Sequence, residues 1–156
     1  MSDIKVVHVL SSRWADVPEE RRVYIGRQNA AHNLYQSIWH NPIKIAKGAS
    51  RSERCQCVAD YCKHLLSRRE LWLKLADLEG MVLGCWCKGH DLGGVDLECH
   101  GDALAKIVSQ LRAHSPLFES GQINVPFTQL VIETYIAIYE QMAEEWRRDE
   151  ETMLTD

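Results

Sequence analysis

Nowhere in this sequence do apolar residues run on for the roughly 18 positions that a membrane-spanning helix needs. The first residues also lack a basic stretch followed by an apolar core, so a secretory signal is not expected. Neither the proline nor the glycine content reaches the level of a low-complexity chain, and no repeat is visible. No single sign of charge dominates: the net charge is −4. Phosphate-driven binding of duplex nucleic acid wants a broad basic surface, and this balance argues against it. Together these absences point to a small protein of the cytoplasm.

Cysteine is not scarce. Six cysteines without a signal peptide read as reduced thiols, to be assigned to packing, metal binding or catalysis rather than to disulfides. At 156 residues the length suits one domain with one core. The charge is unevenly spread. Residues 44–74 carry eight Lys/Arg against three Asp/Glu, and residues 140–156 carry two Arg against seven acids. A basic patch facing a small phosphorylated ligand and a solvated helix face are both open readings.

The segment Met81 to Val108 organises the rest. Met81-Val82-Leu83 reads as a buried strand, and strand alternation would put Cys85 and Cys87 on one face and Trp86 on the other. After a glycine-rich loop, Leu104, Ile107, Val108 and Leu111 mark one face of a helix that opens on Cys99-His100-Gly101-Asp102. A strand tip beside a helix N-terminus is the Rossmann-like layout for holding an anion.

Elsewhere, Ile4 to Leu10 reads as a first strand and Arg22 to Ile25 as a second, which stops at Gly26-Arg27. Ser11 to Glu20 reads as a loop, and residues 29–38 as a helical turn or two. Ser50-x-x-Glu53 is a capping box that starts a helix running to about Ser67. Its apolar face collects Cys55, Val58, Ala59, Cys62, Leu65 and Leu66, which leaves Cys57 without a role. A shorter helical piece, Arg69 to Leu78, follows. Helices between strands imply crossovers to parallel neighbours. The last helix is expected from Pro126 to Arg148, with Phe127, Leu130, Val131, Thr134, Tyr135, Ile138, Met142 and Trp146 along one side. At roughly 35 Å it is longer than a small core needs, so it either wraps the domain or forms a homodimer through residues 126–148. The expected fold is therefore α/β: a single small domain with a short, mostly parallel or mixed sheet flanked by helices. Residues 1–114 would form its core, and 115–156 a connector and long C-terminal helix with an acidic tail.

Three chemistries fit the central segment. Cys85, Cys87, Cys99 and His100, with His90 in reserve, have the ligand types of a zinc site, although C-x-C with an adjacent Cys-His pair is not the usual knuckle spacing. Cys99 at a helix start could be a nucleophile, with His100 as acid or base and Asp102 beside them. The third option is anion binding. Arg27 and Arg51 would grip a phosphate, Gly26, Cys87 and Gly101 would line the strand tips and helix start, and Asn41 would fix a polar edge. Trp39, Trp86 or Tyr24 could stack on a base. Against all three stands plain packing of buried cysteines.

Tyr24-Ile25-Gly26-Arg27, Asn41-Pro42, Gly48 to Arg51, Leu83-Gly84-Cys85-Trp86-Cys87 and Cys99-His100-Gly101-Asp102 follow one another in order. That series resembles the small bacterial and phage proteins of domain-of-unknown-function family 4326, over about residues 4–112. The resemblance implies a compact α/β domain and no particular activity. His40 stands where the family tends to have a small residue, and the loop Lys88 to Glu98 is longer than usual. The preferred expectation is a protein that binds, and as a further option processes, a nucleotide or nucleotide-derived signalling metabolite. A zinc-stabilised interaction module and a cysteine-dependent nucleotide-modifying enzyme are the alternatives.

Overall fold

A computed structural model describes residues 4–87, 98–114, 118–120 and 122–155. Three short strands, β1 (Lys5–His8), β2 (Arg22–Tyr24) and β3 (Val82–Cys85), form a sheet in the order β1-β3-β2. Both pairings are parallel, with Lys5 and Arg22 each opposite Val82. The central strand, Val-Leu-Gly-Cys, is buried at every position, as a strand covered on both faces must be. This is a single small α/β domain. The strand order differs from the Rossmann expectation, because a dinucleotide-binding sheet places the first strand of the chain in the middle, and here the third is central.

Five α-helices are described: α1 (Ser12–Ala15), α2 (Arg51–Ser67), α3 (Arg69–Trp72), α4 (His100–His114) and α5 (Val125–Thr155). The loop expected over residues 11–20 thus contains a helical turn, which sets Trp14 against Gly84 of the sheet. Between residues 29 and 38 the chain makes one 3-10 turn, Ala30–His32. α2 starts where the capping box places it: Ser50 Oγ accepts from the Glu53 N–H, and Glu53 accepts from the Ser50 N–H. Ser50→Ala removes one half of that exchange and is expected to cost about 1 kcal/mol, read as a lower urea midpoint at unchanged slope.

The final helix continues seven residues past Arg148 to Thr155. Its acidic end does not fray at once, because Arg147 pairs with Glu144 and Glu151, and Arg148 pairs with Glu144. α5 lies antiparallel along α2. Ser52 Oγ donates to Glu150, the Arg51 guanidinium sits 4.5 Å from the Trp146 ring centre, and Lys63 pairs with Glu140 at 2.9 Å. The buried side of α5 is Thr128, Val131, Ile132, Ile136, Tyr139 and Ala143, and Val131, Ile132, Ile136 and Tyr139 join the same apolar cluster as Leu65, Leu83, Leu104 and Ile107. Leu130 and Ile138, expected on the apolar side, are exposed. The helix carries apolar residues around more than half its circumference, so period alone leaves its rotation undetermined. The helix is part of the core, not an appendage to it.

Candidate functional site

In a parallel sheet all carboxyl ends lie on one edge, and ligands of open α/β sheets bind outside that edge. Here β2 runs out into Ile25-Gly26-Arg27 and β3 into Trp86-Cys87. The amino end of α4 and one side of α2 face the same space. Between them lies a cavity of about 300 Å³, at the small end of the ~300–1,000 Å³ typical of ligand sites. Of the residues expected at a site, Gly26, Arg27, Asn41, Cys85, Cys87, Cys99 and His100 line it.

Tyr24 and Trp86 form an aromatic wall. Trp86 Nε1 donates to the Tyr24 hydroxyl at 2.8 Å, and that hydroxyl donates to the Arg27 carbonyl at 2.6 Å. Gly26 is needed for this: a Cβ there would stand 2.3 Å from the Tyr24 hydroxyl oxygen. Trp86 lines the cavity alongside Cys85 and Cys87, so alternation does not separate them. The strand ends at Cys85, and the backbone bends beyond it.

Arg27 has a role other than the expected phosphate grip. Its Nε donates to the Asn41 carbonyl and its Nη2 to the Ile43 carbonyl, both at 2.9 Å. The guanidinium braces the 41–43 loop as a cavity wall. Asn41 is likewise engaged: its Oδ1 accepts from the Ile43 N–H, and its Nδ2 meets Cys57 Sγ at 3.4 Å.

Three expected site residues are not brought into the cavity. Arg51 points toward α5 and lies over Trp146. Gly101 packs under the sheet, where a Cβ would come within 2.7 Å of Ile25 and 2.8 Å of Val6. Asp102 turns back to accept from the Cys99 N–H at 2.9 Å, as a helix-start carboxylate. That carboxylate sets a negative charge at the positive end of α4.

Arg54 and Cys57 were not singled out from the sequence, and both line the cavity. A signal was present. Arg54, Cys57, Val58 and Tyr61 fall at i, i+3, i+4 and i+7, a second periodic series beside the one through Cys55, Ala59 and Cys62. α2 is buried on both series because α5 covers one side and the site covers the other. Arg54 is half-buried and has no ion-pair, hydrogen-bond or ring partner among the described residues. Glu98, also on the wall, is taken up by Lys106 at 3.1 Å and by the Tyr139 hydroxyl at 3.0 Å.

The cysteines form a cluster. Cys85 Sγ and Cys99 Sγ are 3.5 Å apart, and Cys87 lines the same cavity with them and His100. These contacts hold the Cys87 thiol well below the ordinary thiol range, because Cys85 and Cys99 donate to its sulfur when it is ionised. The cost falls on the neighbours: the hydrogen bond to Cys87 pushes Cys85 up to about 12, and Cys99 is raised chiefly by its bond to Cys85. Cys99 is buried, whereas Cys87 is partly open. Among the described residues no group of three or more His, Cys, Asp or Glu side chains stands in metal-holding geometry, and His90 lies outside them. His100 Nε2 is already given to the Ile25 carbonyl at 2.7 Å.

Residues 9–110 match the sequence profile described as Domain of unknown function (DUF4326). The chain belongs to the DUF4326 family. The match begins just after β1, takes in β2 and β3 and ends inside α4, so it includes the cavity wall and leaves α5 outside. No curated protein matches the chain, and no solved structure does. The site's chemistry in this DUF4326 protein must therefore be argued from its own residues.

Proposed function

We propose that this DUF4326 protein binds a phosphate-bearing small molecule of nucleotide type in the cavity at the ends of β2 and β3. The observation that carries the reading is Arg54, a half-buried guanidinium on the wall with no partner among the described residues. A cation held partly out of water gains most from an anion that brings its own oxygens, and guanidinium matches phosphate bidentately. Tyr24 and Trp86 offer ring faces for a base, and Asn29 and Gln28 offer amide edges. The six unpaired cysteines fit a reducing cytoplasm, the host's if a phage encodes the chain.

A thermal-shift series with nucleoside mono- and diphosphates and with inorganic phosphate tests this. A ligand at about 100 times its Kd should stabilise by about 2.7 kcal/mol. Arg54→Ala should remove that shift, and Arg51→Ala should leave it in place. No shift with any nucleotide, or equal loss in both variants, defeats the reading.

A further inference from the structure

Two guanidiniums, Arg27 and Arg54, stand on the cavity wall, and Glu98 stands there as a carboxylate. Arg27 turns two of its donors to the carbonyls of the 41–43 loop, whereas Arg54 has no partner among the described residues. Glu98 is fixed in place. One carboxylate oxygen takes the Lys106 ammonium at 3.1 Å, and the other takes the Tyr139 hydroxyl at 3.0 Å. It cannot swing away from an incoming anion without giving up both.

The amino end of α4, the other place where such a site could gather negative charge, carries its own carboxylate in Asp102. Apolar side chains share the wall with Arg54. Val58 lies one turn further along α2, and Ile43 and Ile45 line the same cavity.

These features separate two kinds of phosphate. A phosphate monoester carries nearly two negative charges at neutral pH, because its second pKa is about 6. A phosphodiester carries one, shared by two free oxygens. One guanidinium matches the diester in full: two parallel N–H donors meet two oxygens, and the charges cancel. The monoester brings a second charge, for which the wall offers a fixed carboxylate and apolar side chains. The cost of taking an ion out of water rises with the square of its charge, so the penalty falls on the monoester and still more on a diphosphate.

We propose that the cavity selects a phosphodiester, the linkage of a cyclic nucleotide or of a dinucleotide, over a phosphate monoester or diphosphate. Arg54 is the partner of the anion, and Glu98 is the residue that sets the preference. This deepens the cavity reading above, names the substrate class of the same site and rests on that reading. Only binding is involved, and no bond is made or broken.

The test is titration calorimetry on the full chain at neutral pH with matched probes. Adenosine 5′-monophosphate and its methyl ester differ by one methyl group and one charge. The guanosine, cytidine and uridine pairs cover the choice of base. For the base that binds, the methyl ester should bind about tenfold or more tighter than the monoester, and the diphosphate more weakly than either. The cyclic 3′,5′-monophosphate and the 3′→5′ dinucleoside monophosphate of that base then distinguish a ring from a linkage between two nucleosides. Glu98→Gln keeps the shape and removes the charge. It should narrow the preference for the methyl ester to about threefold or less, because repulsion scales with ligand charge. Arg54→Ala should weaken both members of the pair.

A monoester bound as tightly as its methyl ester overturns the proposal, and the parent protein alone supplies that comparison. A preference that Glu98→Gln leaves whole overturns it too. In either case, binding that Arg54→Ala abolishes keeps the cavity reading standing. If no probe binds, or if binding is indifferent to Arg54→Ala, the cavity reading fails and this proposal fails with it.

Discussion

Trp72→Ala is expected to lower the free energy of unfolding by about 3–5 kcal/mol, the largest loss of any single substitution considered. The indole is 1 % exposed, and it belongs to the cluster that joins α2, α4, α5 and the sheet. Its Nε1 donates at 2.8 Å to the Leu65 carbonyl, near the carboxyl end of α2, which also accepts from the Arg68 N–H at 3.1 Å. Truncation therefore opens a void and removes one of the two hydrogen bonds that carbonyl accepts. Chemical denaturation should show a much lower midpoint. Trp72→Phe, which keeps most of the volume and loses the donor, should recover the larger share. A Trp72→Ala protein as stable as the parent would mean that the segment between α2 and β3 is not part of the cooperative core.

Arg27→Ala is expected to abolish ligand-induced stabilisation and to cost about 2–3 kcal/mol in the free protein. The reason is mechanical. The side chain spans from the end of β2 to the carbonyls of Asn41 and Ile43, and each of the two hydrogen bonds from this partly exposed group is worth about 1–1.5 kcal/mol. Without it the 41–43 loop loses its tie to the strand, and the Asn41–Cys57 contact loses its support. Arg27→Lys distinguishes bracing from charge. An ammonium cannot meet both carbonyls in the fork geometry of a guanidinium, so the lysine variant should recover about half of the stability or less. If Arg27 served mainly as a cation for a ligand phosphate, the lysine variant would instead restore binding and the free protein would scarcely notice either change.

Much of the fold is legible from local pattern. The capping box at Ser50 and Glu53, the β-branched run at the first strand and the apolar i, i+3, i+4 series of α4 are short-range signals, and each element forms where its signal lies. Gathering Gly26, Asn41, Cys87, Cys99 and His100 near one another follows from a simple topological rule, since parallel strands bring their carboxyl ends to one edge. The exact roles were less visible. Arg27 is indistinguishable in sequence from a phosphate-binding arginine, because only the position of Asn41 and Ile43 in space shows that two of its five donors are turned to the loop. Cys99 sits at a helix start, which ordinarily favours a thiolate, and yet Asp102 and two neighbouring sulfurs cancel that advantage.

What the sequence determined by itself is which residues share a strand, a helix turn or a helix face, because backbone geometry ties those to spacing along the chain. The tertiary structure alone decided which neighbour each face meets. Arg51 and Arg54 are one turn apart on α2, and the packing of α5 turns the first toward Trp146 and leaves the second facing the cavity. Cys85, Cys87 and Cys99 are chemically identical thiols, and only burial separates the one partly open sulfur from the two buried ones that touch each other. The physical reason is the same in both cases. Periodicity is set by bonds within an element, whereas charge partners and thiol acidity are set by distances between elements that the chain brings together only on folding.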